Sequence, residues 1–580
     1  MSTVESTRER ADYGATVADA LRLLGVSRLV LAIHDASFPA GDDDVGRGTP
    51  YSAAGKEFLR FVRQLGFSDV QLGPQGWISR ANPSPYDAMI FSRNPLAIAL
   101  GPLWTDAAGD WRTVVGDVPA EAARLCDHRG AWDRHDAALT ALLAARGDEW
   151  SGAIAEFART AGGWLARDER TGDVTPARHR AEQWLVHRQH AELRTFTRGL
   201  GLGLFGDLQV GVSYRDRLAL ASLFLDGYRM GAPPSRTNPD GQPWGYPLLD
   251  PAQYDGAAGA LFDARVHKAL AEYDGLRVDH PHGLVDPWVY RAEAPDAMAA
   301  VQAGARLFSS PDLPDHPELA RWAIATAAQL DRSRARHADE WVRTLDGAQV
   351  ERYAALFQRL FAAARARGAE LVCEVLSTWP YPLRRVMERD HLGRMVVTQK
   401  ARLDVPDDVY RSDTAQPRDW IMVGNHDTPP LWRLVDDWRR DGRAVARAQF
   451  LAERLEPEPS ARAAFAQRLM ASPGALATAM FAELFASPAR HVSIFFADLL
   501  GYHALYNAPG TVSEDNWRLR VAPDYAAQYR ADTAGATDDP RALSLPRALA
   551  LAIRADRARA ATNGALLARL DGLDEQGARS

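Results

Sequence analysis

Three acidic residues each follow a short apolar run in this sequence. Asp279 follows residues 275–278, Glu374 follows residues 371–373, and Asp427 ends residues 421–427. Apolar and polar residues alternate in the first run, which predicts a strand that ends in a loop. Carboxylates at the carboxyl ends of separate parallel strands are the building blocks of active sites in α/β barrels. Each acid alone would more simply be a loop charge or a helix cap, but together they indicate a carboxylate-based enzyme.

The elements that would position these acids are short apolar runs separated by helical patterns. The runs lie at residues 28–33, 70–74, 201–212, 275–280, 371–374, 395–398, 421–423 and 492–496. Strands that alternate with helices and number about eight predict an α/β fold, a (β/α)₈ TIM barrel. Long helical patterns between some of these runs predict helical insertions between the barrel strands.

The same patterns predict how the chain is divided. We expect an N-terminal helical segment (1–28), the barrel start (29–95), a helical insertion (96–200), the main barrel (201–429), a second helical insertion (430–490) and the barrel end (491–580). Residues 225–249 are rich in glycine and proline, which predicts a loop. Helices are expected from the Asp279 strand to about Arg367, and one C-terminal helix from about Pro546 to Leu570.

Composition excludes several classes of partner. The 580 residues are 46% hydrophobic and 25% charged with a net charge of −7, which predicts a globular protein without affinity for nucleic acid or an anionic membrane. The two cysteines, Cys126 and Cys373, make a disulfide framework improbable and fit a reducing cytoplasm. The polar N-terminus does not resemble a secretory signal, and no apolar run approaches the ~20 residues of a membrane span.

Two further motifs could indicate a nucleotide site and a metal site, but the evidence for each is weaker than that for the three acids. Gly201-x-Gly203-x-x-Gly206, with Asp226 downstream, formally matches a dinucleotide fingerprint, but these glycines lie within a predicted strand and no helix opens after them. Asp279, His280 and His282 could form a metal site with His426 and Asp427. We favour histidines that act as hydrogen-bonding pocket residues, and we therefore predict no metal and no cofactor.

A set of short motifs resembles a known family. They are Ser84-Pro85-Tyr86, Gly206-Asp207, Gly241-Gln242-Pro243-Trp244-Gly245, Arg277-Val278-Asp279-His280, Glu374, His426-Asp427, Asp498-Leu499-Leu500-Gly501, Asn507-Ala508-Pro509-Gly510-Thr511 and Asn516-Trp517-Arg518. In these motifs the chain resembles the amylomaltases, which are 4-α-glucanotransferases of glycoside hydrolase family 77. The resemblance runs from about residue 34 to residue 520.

The resemblance implies a retaining transferase that moves α-1,4-glucan segments between malto-oligosaccharides. Asp279 matches the family's nucleophile, Glu374 its general acid/base and Asp427 its transition-state stabiliser. The expected substrate-binding residues are Ser84, Tyr86, Asp207, Gln242, Trp244, Arg277, His280, His426 and Asn507. Among them, Tyr86 and Trp244 match aromatic contacts to the glucan. The implied partners are therefore malto-oligosaccharides or other α-1,4-glucans.

The chain also departs from the family pattern. Val375-Leu376-Ser377 follows Glu374 where the family usually has Asp-Leu-Gly, His280-Pro281-His282-Gly283 replaces His-Phe-Arg-Gly, and Gln209 stands where a proline is common. Two alternatives therefore stay open. One is an α-1,4-glucan hydrolase, and the other is a glycan-binding protein that has lost turnover.

Overall fold

A computed structural model of the chain describes residues 3–170, 173–534 and 539–577. Its centre is a sheet of eight parallel strands: β1 (Arg28–Ile33), β2 (Asp69–Leu72), β3 (Gly203–Leu208), β6 (Gly275–Val278), β9 (Glu370–Cys373), β10 (Met395–Val397), β11 (Trp420–Met422) and β12 (His491–Phe495). Neighbouring strands in this sheet follow the order β10-β11-β12-β1-β2-β3-β6-β9. The predicted (β/α)₈ barrel is confirmed, and each of its strands overlaps an apolar run of the sequence.

The two ends of the barrel sheet meet at one backbone contact. The amide of Met395, which begins β10, donates a hydrogen bond to the carbonyl oxygen of Val375 at 3.3 Å, just beyond the end of β9. Both side chains are buried. Val375, one of the departures from the family pattern, therefore closes the barrel with its backbone and fills the space there with an apolar side chain.

Helices surround the barrel and fill the long insertions. They are α1 (Thr3–Leu23), α2 (Ala53–Gln64), α3 (Trp111–Val115), α4 (His128–Thr160), α5 (Gly163–Asp168), α6 (Pro176–Leu200), α7 (Tyr214–Ala219), α8 (Ala257–Glu272), α9 (His282–Val285), α10 (Ala297–Gln302), α11 (Gly347–Tyr353), α12 (Ala355–Arg367), α13 (Tyr381–Arg389), α14 (Leu431–Asp441), α15 (Arg443–Leu455), α16 (Arg462–Ala471), α17 (Pro473–Ala486), α18 (Phe496–Leu499), α19 (Tyr525–Thr533), α20 (Leu545–Arg554), α21 (Arg557–Thr562) and α22 (Gly564–Gly577). None of these helices has the length and apolar character to cross a bilayer.

A second, antiparallel sheet lies at the carboxyl ends of the barrel strands. Its strands are β4 (Tyr228–Ala232), β5 (Gln242–Tyr246), β7 (Trp288–Arg291) and β8 (Ala305–Arg306), and they pair in the order β5-β4-β7-β8. The prediction of a loop over residues 225–249 is therefore wrong, and so is the prediction of helices alone between Asp279 and Arg367. Cross-strand pairing stabilises segments whose glycines and prolines favour loops, which is a long-range effect.

The C-terminal helix is also different from the prediction. Instead of one helix from about Pro546 to Leu570, the chain forms α20, α21 and α22 with short breaks between them. Asp556 caps α21 by accepting a hydrogen bond from the amide of Arg559 at 3.0 Å. A side chain that satisfies the free amides of a helix start favours a new helix over continuation of the old one.

The glycines of the apparent dinucleotide fingerprint have packing roles. Gly201 ends α6 in the left-handed region at φ 72°, while Gly203 and Gly206 lie within β3. A Cβ on Gly203 would lie 2.1 Å from the Asp69 carboxylate, and one on Gly206 would lie 2.5 Å from the Tyr273 ring. Close approach of neighbouring side chains accounts for Gly203 and Gly206, and the left-handed backbone at the helix end accounts for Gly201.

We expect Gly206→Ala to destabilise the protein by about 1–3 kcal/mol, because the new methyl group overpacks against Tyr273. A matched control is Gly147→Ala in α4, where a Cβ meets nothing within 4 Å. That change should stabilise the helix by up to about 1 kcal/mol. Thermal unfolding midpoints measure both effects, and an unchanged midpoint in Gly206→Ala would contradict the packing explanation.

Candidate active site

Asp279 and Glu374 stand side by side because their strands are neighbours in register. Val278 at the end of β6 pairs with Cys373 at the end of β9, and each acid is the next residue. The amide of Glu374 donates to the carbonyl oxygen of Val278 at 3.0 Å, which fixes the two strand ends together. Carboxylate oxygens of the two acids lie within 4.8 Å of each other. Both residues are buried, with 6% and 3% of their surface exposed.

Arg277 contacts three carboxylates in the site, those of Asp207, Asp279 and Glu374. Its Nη1 donates to both carboxylate oxygens of Asp207 at 2.8 and 2.7 Å, and its Nη2 donates to Oδ1 of Asp279 at 3.3 Å. The same Nη2 lies 2.6 Å from Oε2 of Glu374 as an ion pair that lacks hydrogen-bond alignment. Burial lowers the pKa of Arg277, but Asp207 and Glu374 outweigh it and hold that pKa well above its usual value.

His280 adds a second cation beside the two acids. Its Nδ1 lies 2.9 Å from Oδ1 of Asp279 and 3.3 Å from Oε2 of Glu374. Burial lowers the pKa of His280, but the charges of Asp279 and Glu374 outweigh burial and raise it to about 9. Burial acts to raise the pKa of Asp279, yet His280 and Arg277 hold that pKa far below its usual value. Asp279 is therefore an ionised, hydrogen-bonded carboxylate at neutral pH.

The backbone of His280 lies in the left-handed region, with φ 43°. This conformation is uncommon for a residue with a side chain and costs free energy of order 1–3 kcal/mol. Here it turns the imidazole back toward the carboxylate of the preceding residue, at 2.9 Å. The strain therefore accompanies the contact that keeps Asp279 charged.

Asp427 follows β11 and is more exposed than the other two acids. About a third of its side-chain surface is accessible. The Asn507 amide nitrogen donates to Oδ1 at 2.7 Å, and Nε2 of His426 lies 3.6 Å from Oδ2. The backbone amide of Asp427 donates to Oδ1 of Asn425 at 3.0 Å, which fixes the turn after the strand. Asp427 thus lies next to Asn507 and His426, two of the predicted sugar contacts.

Aromatic rings form one wall beside these acids. Tyr86 stacks on His426 with ring centroids 5.1 Å apart at an angle of 18°, and its hydroxyl donates to Asp207 at 3.0 Å. Ser84 lies outside this wall, where its hydroxyl accepts from the Tyr86 amide at 3.3 Å and shapes the turn that carries that ring. Burial of Tyr86 raises its pKa well above the usual value, so the phenol stays a hydrogen-bond donor.

Three contributors to the site were missed as functional residues in the sequence. His34 lies against Tyr86 and His426 at 6.2 and 5.1 Å, and Trp517 lies 5.8 Å from His426. The third is the amide of Val210, which donates to Oδ2 of Asp279 at 2.9 Å. His34 directly follows the first predicted strand and Trp517 belongs to a family motif, so both carried a signal, whereas a backbone amide carries none.

Trp244 and Gln242 belong to strand β5 of the small sheet. The indole Nε1 donates to Oε1 of Gln242 at 3.0 Å, and the indole ring meets the His280 ring edge to face at 4.8 Å. Both side chains are partly buried. Pairing between β4 and β5 therefore places an indole next to the histidine that contacts Asp279, even though its sequence suggested a free loop.

The ligand atoms of Asp279, His280 and Glu374 lie close enough together to hold a metal ion. A histidine ligand must be deprotonated, but the neighbouring carboxylates raise the pKa of His280 to about 9. Arg277 already contacts both carboxylates. The set is therefore arranged around two protein cations and fits a metal poorly. His282 does not share these contacts, and its buried Nε2 has no hydrogen-bond partner in the described part of the chain.

We expect His280→Gln to make stability less dependent on pH. The folded-state pKa of His280 is raised to about 9 from an ordinary value of 6.5. Its charge therefore stabilises the fold fully below about pH 6.5, and this contribution is lost as pH rises through about 9. The difference in thermal midpoint between wild type and variant should shrink from pH 6 to pH 10. His391→Gln is the matched control, since His391 also has positive φ but is exposed; an equal pH trend in both variants would contradict this assignment.

Comparison with known proteins identifies the family. The family model for 4-alpha-glucanotransferase (glycoside hydrolase family 77) matches residues 126–525, more than half of the chain. The rice chloroplastic/amyloplastic 4-alpha-glucanotransferase DPE1 is 30% identical over 126 residues, which are 20% of this chain and 21% of the rice protein. The Thermus thermophilus 4-alpha-glucanotransferase is 25% identical over 317 residues, or 46% of this chain and 61% of that protein. The matched stretches thus span from about a fifth to three-fifths of these relatives.

Solved structures show the same fold at lower identity. The amylomaltase of Streptococcus agalactiae in complex with acarbose has a TM-score of 0.66 at 16% identity, with 87% of this chain and 97% of that chain covered. The amylomaltase of Corynebacterium glutamicum has a TM-score of 0.64 at 18% identity, with 93% and 77% covered. With the strand-end carboxylates in place and the family model matched over most of the barrel, this chain belongs to the 4-alpha-glucanotransferases of glycoside hydrolase family 77.

Proposed function

We propose that this protein is a 4-α-glucanotransferase that transfers α-1,4-glucan segments between malto-oligosaccharides with retention of configuration. The observation that carries the proposal is the pair of carboxylates, Asp279 and Glu374, with oxygens within 4.8 Å of each other. Retaining enzymes need about 5–5.5 Å between the two groups, whereas inverting enzymes need about 6.5–9.5 Å to hold a water. Family membership supports the same reaction class.

In this proposal Asp279 attacks the anomeric carbon while Glu374 protonates the leaving glycosidic oxygen. The glycosyl ester formed on Asp279 is then opened by the 4-hydroxyl of an acceptor sugar, which Glu374 deprotonates. Arg277 and His280 keep Asp279 ionised before the attack. Asp427, with Asn507 and His426 beside it, is placed to stabilise positive charge and to hold hydroxyls of the sugar being cleaved.

Transfer requires that an acceptor sugar, and not water, reaches the glycosyl-enzyme. Trp244 lies against His280, next to the proposed nucleophile, and presents a partly accessible indole there. A pyranose ring stacked on this indole would exclude water and orient its 4-hydroxyl. This position favours transferase over hydrolase activity. The glycan-binding alternative is less favoured because the two acids lie close together and Asp279, the proposed nucleophile, is held ionised as attack requires.

The proposed reaction needs no cofactor, since the three acids can carry out both displacement steps. Its partners are α-1,4-glucans, for which the separate rings of Tyr86 and Trp244 offer stacking surfaces. The cytoplasm is the proposed location, because both described cysteines are free and buried.

The direct test is incubation with maltotriose in the presence of EDTA, with products separated by chromatography. A transferase yields glucose together with maltopentaose and longer chains, whereas a hydrolase yields glucose and maltose alone. Binding of maltotriose without any product would identify the glycan-binding alternative. Activity that is lost in EDTA and restored by zinc would instead show that Asp279, His280 and Glu374 hold a metal.

We expect Asp279→Asn and Asp427→Asn each to lower transfer at least roughly thousandfold, since one loses the nucleophile and the other a charge at the reacting sugar. The measurement is the initial rate of oligosaccharide formation from maltotriose, together with thermal midpoints that check the fold. Asp226→Asn is a matched control on the surface and should keep wild-type rates. If Asp279→Asn kept more than a few per cent of activity, the nucleophile would have to be another residue.

We expect Trp244→Ala to release more glucose per transfer event. Loss of an aromatic contact worth about 1 kcal/mol beyond its buried area changes the partition of the glycosyl-enzyme roughly fivefold. Trp244→Phe keeps a stacking face and serves as the matched control. The glucose-to-oligosaccharide ratio at early times is the readout. A ratio that is equal in Trp244→Ala and wild type would show that the indole only packs against His280.

A further inference from the structure

Lys400 ends the short turn that directly follows β10, the barrel strand between those that carry Glu374 and Asp427. β10 pairs in register with β11 on one side, and on the other side the amide of Met395 meets the carbonyl oxygen of Val375 just after β9. The carboxyl ends of parallel barrel strands lie at one end of the barrel, where active sites of this fold are built. The strand order therefore places Lys400 between the proposed acid/base and the proposed transition-state stabiliser.

Backbone hydrogen bonds hold the Lys400 turn against the neighbouring strand. The amide of Gln399 donates at 3.2 Å to the carbonyl oxygen of Val423, which directly follows β11. The amide of Ala401 donates to the carbonyl oxygen of Thr398 at 3.1 Å and completes the turn. The backbone of Lys400 is thus fixed relative to the loop after β11.

The side chain of Lys400 is partly buried, and its ammonium group remains accessible. Among the residues that the structure describes, this ammonium makes no hydrogen bond and no ion pair. By contrast, the ammonium of Lys268, another partly buried lysine, donates to Oε1 of Glu272 at 2.6 Å. An ammonium group carries three hydrogen-bond donors and no acceptor, so the donors of Lys400 are open to a ligand.

The charges around Lys400 determine which ligands suit this position. Burial lowers the pKa of Lys400 below its usual value, against the opposing effect of Asp427 and Glu374. The charge of Arg236, which is itself paired with Asp408 at 3.3 Å, acts in the same direction as burial. Two acids therefore attract the ammonium without bonding it directly. The same acids would repel an anionic ligand, so a neutral ligand suits the position better.

We propose that Lys400 is a substrate-binding residue that donates a hydrogen bond to a hydroxyl of the sugar whose bond is broken. A hydroxyl can accept from an ammonium and donate to a carboxylate at the same time, whereas an ammonium only donates and a carboxylate only accepts. A sugar hydroxyl between Lys400 and Asp427 therefore satisfies both groups. This role rests on the proposed function, because it requires a glucan in the site.

The test is titration calorimetry of maltotriose into the full-length Asp279→Asn protein, in which binding is measured without turnover. We expect Lys400→Met in this background to weaken maltotriose binding at least roughly tenfold, because a charge-assisted hydrogen bond is lost. Lys400→Arg keeps the charge and donors in a different shape and should recover part of the affinity. Lys56→Met in α2 is the matched control and should leave binding unchanged.

The outcomes separate this role from the proposed transferase activity. Equal maltotriose affinity in Asp279→Asn with and without Lys400→Met would overturn the Lys400 contact, whatever products the wild-type protein forms. If the wild type forms no products while Lys400→Met still weakens binding, the transferase function is wrong and the contact stands. Absence of maltotriose binding to Asp279→Asn would overturn both.

Reductive methylation keeps the test valid if Lys400→Met does not fold. The chain has three lysines, Lys56, Lys268 and Lys400, so mass spectrometry can follow each of them. At about ten times its Kd, maltotriose should slow the methylation of Lys400 in Asp279→Asn roughly tenfold, because only unoccupied sites react. The methylation rate of Lys56 should not change. An equal rate at Lys400 with and without maltotriose would contradict the contact.

Discussion

The site depends on the burial of Arg277 among three carboxylates. A buried charge without a partner costs several kcal/mol, and only 3% of the surface of Arg277 is exposed. Its contacts with Asp207, Asp279 and Glu374 supply the compensation, and they require that β3, β6 and β9 end at the same level. The registers between these strands provide that alignment. Replacing such a cluster by apolar residues could be equally stable, so we attribute its presence to chemistry and not to stability.

His280 supplies the second positive charge of this cluster, and a strained backbone places it there. One guanidinium faces three acids, and the imidazolium supplies the second positive charge at Asp279 and Glu374. The left-handed conformation of His280 is required because the residue directly after an acid otherwise points to the opposite side of an extended chain. Pro281 follows and begins the turn into α9. The free energy stored in one residue thus brings a cation to the proposed nucleophile.

The barrel and its acids were predictable from the sequence, whereas several of their neighbours were not. Parallel barrel strands are buried on both faces and therefore appear as apolar runs, so β1 and β12 fall almost where the sequence predicts them. β4 contains a glycine, and β5 contains a glycine and a proline and is only partly buried, so their pairing with each other and with β7 is what reveals them. The Val210 amide has no sequence signal, and the approach of His34 to His426 joins residues that are far apart in the chain.

The departures from the family pattern change residues beside the acids, while Asp279, Glu374 and Asp427 themselves are present. Val375 closes the barrel through its carbonyl oxygen, which any residue could supply, and its buried side chain offers no polar group to a sugar. Two residues later, Ser377 bonds Thr237 at 3.1 Å, which connects the segment between β4 and β5 to the loop after Glu374. An exposed hydroxyl pair is a weak contact. The segment that carries Trp244 is therefore held by its own sheet and by the ion pair of Arg236 with Asp408 at 3.3 Å more than by the loop that follows Glu374. The acceptor contact that we propose for Trp244 accordingly depends on that sheet more than on that loop.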